Sequence, residues 1–173
     1  MINSAGIYRK ADALVQAHGS RTALEIARSS GINVFHVDYF KDLLGMYLYK
    51  MKTASIFLNN KLDEYMVQVV GAHELGHDML HRDIAECGFQ EFELFRMSNS
   101  TEYEANAFAA HLLIDTDECM ELVRNGYDVV TAAKILKTEI NLLLIKLQEL
   151  QRLGYDFRMP MTPRGDFLKN IKV

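Results

Sequence analysis

The nine residues HELGHDMLH, 73 to 81, hold three of the chain's six histidines and one glutamate. His73 and His77 are four apart. On a helix that spacing stacks two imidazoles on one face, within reach of one zinc ion. Glu74 projects about 100° round from His73, beside such an ion rather than on it, where a carboxylate can take a proton from water. This is the HExxH arrangement of zinc peptidases. Gly76 carries no side chain, so another segment can approach the helix closely at that point.

One helix face cannot surround an ion, and a catalytic zinc has three protein ligands plus an open position. The best donor for the third ligand is TEYEANAFAAHLLI, residues 101 to 114, which offers Glu102, Glu104 and His111. Asn106 follows Glu102 by four residues, on the same helix face, where its amide can hold a ligand histidine. Phe108 stands at the same place after Glu104 and supports nothing polar. Glu102 is therefore the expected third ligand, with Asn106 behind it. Glu104 is the runner-up and reads better as a first-turn acid favoured by the helix dipole. His81, two turns from His73, reads equally as a rim or supporting residue and as a helix-end histidine. His111 could face a substrate and stabilise an oxyanion, but a satisfied, partly buried histidine is the simpler reading. His18 and His36 read as structural or surface residues, and Cys87 and Cys119 as core or near-surface thiols.

The elements that must position these groups follow from periodicity. Residues 4 to 18 predict a helix capped by Ser4, and 21 to 30 a second helix ending at Gly31. INVFHVDYF reads as a strand. GMYLYKM and ASIFLNN read as a hairpin with Lys52 and Thr53 near its turn. The pattern is helical from about 62 to 81, with Leu62, Met66, Val69, Val70, His73 and His77 near one face. An irregular stretch to Ser100 follows, then the helix 101 to 114, capped by Ser100 or Thr101. Further helices are expected at 116–124, 128–137 and 139–152. The fold class is α+β: a small zincin-type domain, mainly helical, with a short mixed or antiparallel sheet of about three strands on the motif helix. The whole of 1–173 reads as a single metallopeptidase domain. It has N-terminal helices and strands to 60, metal-site helices over 61–115, C-terminal helices over 116–153 and an irregular tail over 154–173.

Composition narrows the role. The chain has 173 residues, 49% apolar and 24% charged, with a net charge of −4, and a pI near 5.9. It lacks the basic excess of a nucleic-acid or membrane-surface binder. Two cysteines make no disulfide framework, and MINSAGIYRK has no signal-peptide core, so a reduced cytoplasmic setting is expected. The stretch 128–152 is too apolar and too sparsely basic to be a DNA-reading helix pair.

With HELGHDMLH followed by EYEANAFAAHLLI, the chain resembles the ImmA/IrrE family of metallopeptidases. The resemblance is sharpest over 69 to 114 and extends more loosely to ASIFLNN. It implies zinc bound by His73, His77 and Glu102, with Glu74 as the catalytic base. Where family members often continue LLMP, this chain has LLID, Leu112 to Asp115. The resemblance also implies an intracellular protein of a phage or mobile element that cleaves, or otherwise inactivates, a helix-turn-helix repressor.

The expectation is a cytoplasmic Zn2+-dependent endopeptidase, an anti-repressor acting on a specific regulatory protein, with no direct nucleic-acid or membrane partner. ASIFLNN is expected at the sheet edge, free to pair with an extended substrate. The alternative is a metal-stabilised binding protein that inactivates a regulator without proteolysis. The glutamate at position 74 favours catalysis, because a structural zinc is more usually closed by a fourth protein ligand.

Overall fold

The computed structural model describes residues 2–85 and 100–157. Helices α1 (Ser4–His18) and α2 (Ala23–Ser29) lead into strands β1 (Asn33–Val37), β2 (Gly45–Lys50) and β3 (Thr53–Asn59). The helices α3 (Glu64–Ala85), α4 (Ser100–Leu113), α5 (Thr116–Arg124), α6 (Val129–Ile135) and α7 (Ile140–Arg152) complete the described chain. The architecture is the expected α+β class, mainly helical with a small mixed sheet. The cap of α1 is Asn3 rather than Ser4: the Asn3 Oδ1 accepts the Gly6 N–H at 2.9 Å. Both are good capping residues, and their adjacency left the register open by one.

The sheet order is β1-β3-β2. β2 and β3 form the expected antiparallel hairpin, Tyr47 opposite Ile56. Its turn is Met51–Lys52, both with positive φ, as a two-residue hairpin turn whose twist matches its strands requires. β1 then pairs with the other side of β3 in parallel, Phe35 beside Phe57. ASIFLNN is thus the central strand and not the edge. Its burial follows from that position: Ile56, Leu58 and Asn59 are fully buried, whereas Asn33, Phe35 and His36 of β1 are exposed. Asn59 also fastens the loop before β2. Its Nδ2 donates to the carbonyls of Phe40 and Leu43, and its Oδ1 accepts the Lys61 N–H.

Helix α3 runs through the middle of the molecule, against β2 and β3 on one side and α2 and α4 on others. Residues 69–76 are buried all round, so the helix has no single apolar face there. Its polar residues are held by partners. Tyr47 of β2 donates its hydroxyl to Asp78 at 2.6 Å, and Arg82 pairs with the same carboxylate. This bracket fixes the motif helix on the sheet, and Asp78 is itself nearly inaccessible. No spacing in the sequence announces this pair, because it joins a strand to a helix 31 residues away.

At Gly76 helix α4 packs tightly against α3. A Cβ there would lie 3.1 Å from both Cα and O of Ala105 and 3.2 Å from Phe108. Two of those contacts are backbone atoms, which cannot rotate away. Gly76→Ala is expected to push the two helices apart by a few tenths of an ångström and to destabilise the fold by about 1–3 kcal/mol. Thermal unfolding of the metal-free variant measures it; an unchanged midpoint would show that the helices accommodate the methyl.

Candidate metal centre

The crossing at Gly76 brings the residues of α4 over the histidines of α3. Glu102 lies in the first turn of α4, buried to 2% exposure, and His73 is fully buried. The Nε2 atoms of His73 and His77 are 3.1 Å apart. Glu102 meets them with one oxygen each, at 3.3 Å from His73 and 3.4 Å from His77. Among the described residues, these three form the group whose ligand atoms converge closely enough to hold a metal ion.

The donor set fits a metal. Three donors each about 2.1 Å from a tetrahedral ion lie about 3.4 Å from one another, close to the spacings found. The remote nitrogen of each imidazole is engaged, which fixes which nitrogen can coordinate. His73 Nδ1 lies 2.9 Å from Asn106 Oδ1. That oxygen can only accept, so the proton sits on Nδ1 and Nε2 presents a lone pair. His77 Nδ1 lies 3.2 Å from His81 Nδ1. Neither oxygen of Glu102 accepts a well-formed hydrogen bond, although both are buried, a cost that a cation between the three groups would remove.

Electrostatics agree. Burial pushes the His77 imidazole down to about 4, toward the neutral form a ligand needs. For His73 burial acts in the same direction, but the carboxylates of Glu102 and Glu74 outweigh it and raise its pKa. Burial likewise opposes ionisation of Glu102, yet the two imidazoles hold its carboxyl far below the usual carboxylate range. A divalent cation between the three groups would favour the neutral imidazoles and the ionised carboxylate together.

Glu74 is fully buried and stands outside the converging trio. It packs toward the start of β2, where a Cβ on Gly45 would come within 2.9 Å of its Oε1. Glu104, the runner-up ligand, faces His81 instead, with 3.0 Å between Oε2 and Nε2. His81 is buried, and because α3 continues to Ala85 it is not at the helix end. Its partner explains why a solvated first-turn acid is the wrong description of Glu104.

His111 is not part of this cluster. It is buried against α1 and α7, edge-on to the Tyr8 ring, with Nδ1 3.1 Å from the Lys146 Nζ. The oxyanion role is therefore dropped, and the buried reading holds. Lys146 is fully buried, donates to Thr116 Oγ1 at 2.8 Å and is pushed down by burial to about 8. Burial, then the Lys146 charge, pushes His111 down from 6.5 to about 3. An unfolded His111 takes a proton near its ordinary value, whereas the folded one refuses it until far lower pH. Its contribution is therefore complete above about pH 6.5 and is lost as pH falls towards 3, by up to about 1.4 kcal/mol per pH unit. His111→Leu is expected to flatten the dependence of the unfolding midpoint between about pH 6.5 and pH 4. An unchanged slope would show that His111 charges readily in the fold.

His18 and His36 are exposed. Cys119 is a buried free thiol that burial pushes up to about 11, which makes it inert. Cys87 lies outside the described residues. In LLID, Asp115 caps α5 by accepting the N–H groups of Asp117 and Glu118. It also pairs with Arg21, which donates to the last carbonyls of α4. The departure from LLMP is a helix-to-helix corner, away from the trio.

The model of a peptidase family, the IrrE N-terminal-like domain, matches residues 27–146, from the end of α2 into α7. The chain belongs to this family. The match takes in the whole sheet, the HELGH helix and the Glu102 helix, so the ImmA/IrrE resemblance is borne out on the elements that build the site. The family is one of metallopeptidases. A relative is uncharacterized immunity region protein 2 of Bacillus phage phi105, 31% identical over 101 residues. The aligned part is 58% of this chain and 63% of that protein, so the chain spans less than two thirds of the relative's length. No helix among the described residues is long and apolar enough to cross a membrane.

Proposed function

We propose that this ImmA/IrrE protein is a zinc-dependent endopeptidase of the cytoplasm that cleaves one specific regulatory protein, most simply a helix-turn-helix repressor of a phage or mobile element. The observation that carries the reading is the buried convergence of His73, His77 and Glu102, with both remote imidazole nitrogens already engaged. These three hold the zinc. Two nitrogens and one carboxylate suit zinc among the common divalent metals. When bound, zinc supplies Lewis acidity, polarising a peptide carbonyl and acidifying a water. Glu74 holds the proton: it accepts one from the attacking water and returns it to the leaving amine.

An extended substrate must add at a free strand. β3 is already paired on both sides, which leaves β1 and β2. β2 is the better candidate, since its first residue lies against Glu74. A relative named for a phage immunity region supports a target among the regulators that keep such genes silent.

Co-expression with candidate helix-turn-helix repressors, wild type against Glu74→Gln, tests the reading. A new regulator fragment with wild type alone is the expected result. A regulator inactivated equally by both proteins, with no fragment, would replace the peptidase by a metal-stabilised binding protein.

A further inference from the structure

The two histidines of the trio are supported unequally. His73 rests on a neutral amide, Asn106. His77 leads instead to His81, and His81 to a carboxylate, Glu104. We infer that Glu104 and His81 form a relay that positions His77 and strengthens it as a metal ligand. This rests on the reading of His73, His77 and Glu102 as the ligands, and adds to it two residues that touch no metal.

Hydrogen-bond direction carries the argument. Glu104 Oε2 lies 3.0 Å from His81 Nε2. An ionised carboxylate only accepts, so His81 carries a proton on Nε2. A neutral His81 then has a bare lone pair on Nδ1. That atom lies 3.2 Å from His77 Nδ1, and the contact is favourable only if His77 Nδ1 holds the proton and donates it. His77 Nε2 is left bare, and this is the nitrogen that faces His73 and Glu102. The carboxylate of Glu104 thus sets the tautomers of two successive rings and turns the coordinating lone pair toward the metal.

The geometry is local enough to be stable. His77 and His81 are one turn apart on α3, so their rings are held at the spacing the contact needs. His81 is 7% exposed, which shields the contact from competing water. Glu104 is two residues beyond Glu102 on α4, and its carboxylate reaches His81, one turn further along α3 than His77. Outer partners of this kind raise the basicity of a ligand imidazole and lock its orientation, and their loss typically costs 10- to 100-fold in metal affinity.

The test is zinc affinity, measured by chelator competition on the whole chain, for wild type, Glu104→Ala, Glu104→Gln and Glu102→Ala. The side chain of Glu104 is 24% exposed, so its variants keep the fold, and the unfolding midpoint of the metal-free proteins checks this. Glu104→Ala is expected to weaken zinc binding by about 10- to 100-fold. Glu104→Gln, whose amide oxygen still accepts from His81, should recover part of the loss. In zinc-loaded wild type, ring nitrogen NMR shifts should place the protons on His77 Nδ1 and His81 Nε2, and the His81 assignment should be lost in Glu104→Ala. Two results overturn the relay alone: Glu104→Ala binding zinc as wild type does while Glu102→Ala loses it, or a His81 proton found on Nδ1. If wild type binds no zinc, or if Glu102→Ala is unaffected while Glu104→Ala loses the metal, both the relay and the ligand assignment fall.

Discussion

Glu74→Gln is expected to bind one zinc per chain as the wild type does, while cleavage of the target falls by about 100- to 10,000-fold, the range that a positioned general base supplies. The two halves of this result come from different parts of the geometry. Zinc is retained because the ligand atoms belong to His73, His77 and Glu102, and Glu74 stands outside that set. Activity is lost because a glutamine of the same size fills the same space, beside Gly45, but cannot accept a proton. The fold should not suffer. Glu74 is wholly buried, and glutamine keeps its size and shape, so the substitution leaves no cavity. An unfolding midpoint close to that of the wild type is therefore part of the prediction, and it separates a lost base from a collapsed site. Cleavage by the variant at the wild-type rate would sink the mechanism.

The parts of the site that could be read from the sequence are those set by one helix at a time. The four-residue interval from His73 to His77 puts two imidazoles on one face, and the same interval from Glu102 to Asn106 picks the acid of α4 that meets both of them. Both are properties of the 3.6-residue period. The hairpin of β2 and β3 is legible for a similar reason, since its pairing is local. What could not be read depends on how separate elements meet. β1 docks on the far side of β3 because the chain after β1 skips one strand position before turning back, and no pattern within ASIFLNN shows on which side a third strand will lie. A signal was nevertheless present. Ala54, Ile56 and Leu58 make one face of β3 wholly apolar, whereas β1 carries Asn33 and His36, as an edge strand can. Glu104 was misjudged because its partner, His81, is on another helix, and only the α3–α4 crossing at Gly76 decides that the two meet. His111 was ambiguous because its partner, Lys146, is 35 residues away and fully buried, where a lysine is seldom expected.

Removing Glu102 should have the larger effect on the metal. With Glu102→Ala only two imidazoles remain, and the loss in zinc affinity is expected to exceed the 100-fold upper end seen when an outer partner is removed. Stability reports this without any assay of cleavage. A ligand that binds only the folded state stabilises it by about 2.7 kcal/mol when present at 100 times its dissociation constant. For a chain of this size that raises the unfolding midpoint by about 5–10 °C. The wild type should show the rise on adding zinc and lose it with a chelator. The variant should show neither, because its affinity places the same zinc concentration near or below the dissociation constant. Glu104→Ala should fall between, since in that protein the three ligands remain and only the support of His77 is gone. The order of the three proteins is what the geometry requires: Glu102 faces both imidazoles at 3.3 and 3.4 Å, whereas Glu104 reaches them only through His81. A zinc-dependent rise of wild-type size in Glu102→Ala would mean that the ion is held elsewhere, and Glu102 would have to be struck from the ligand set.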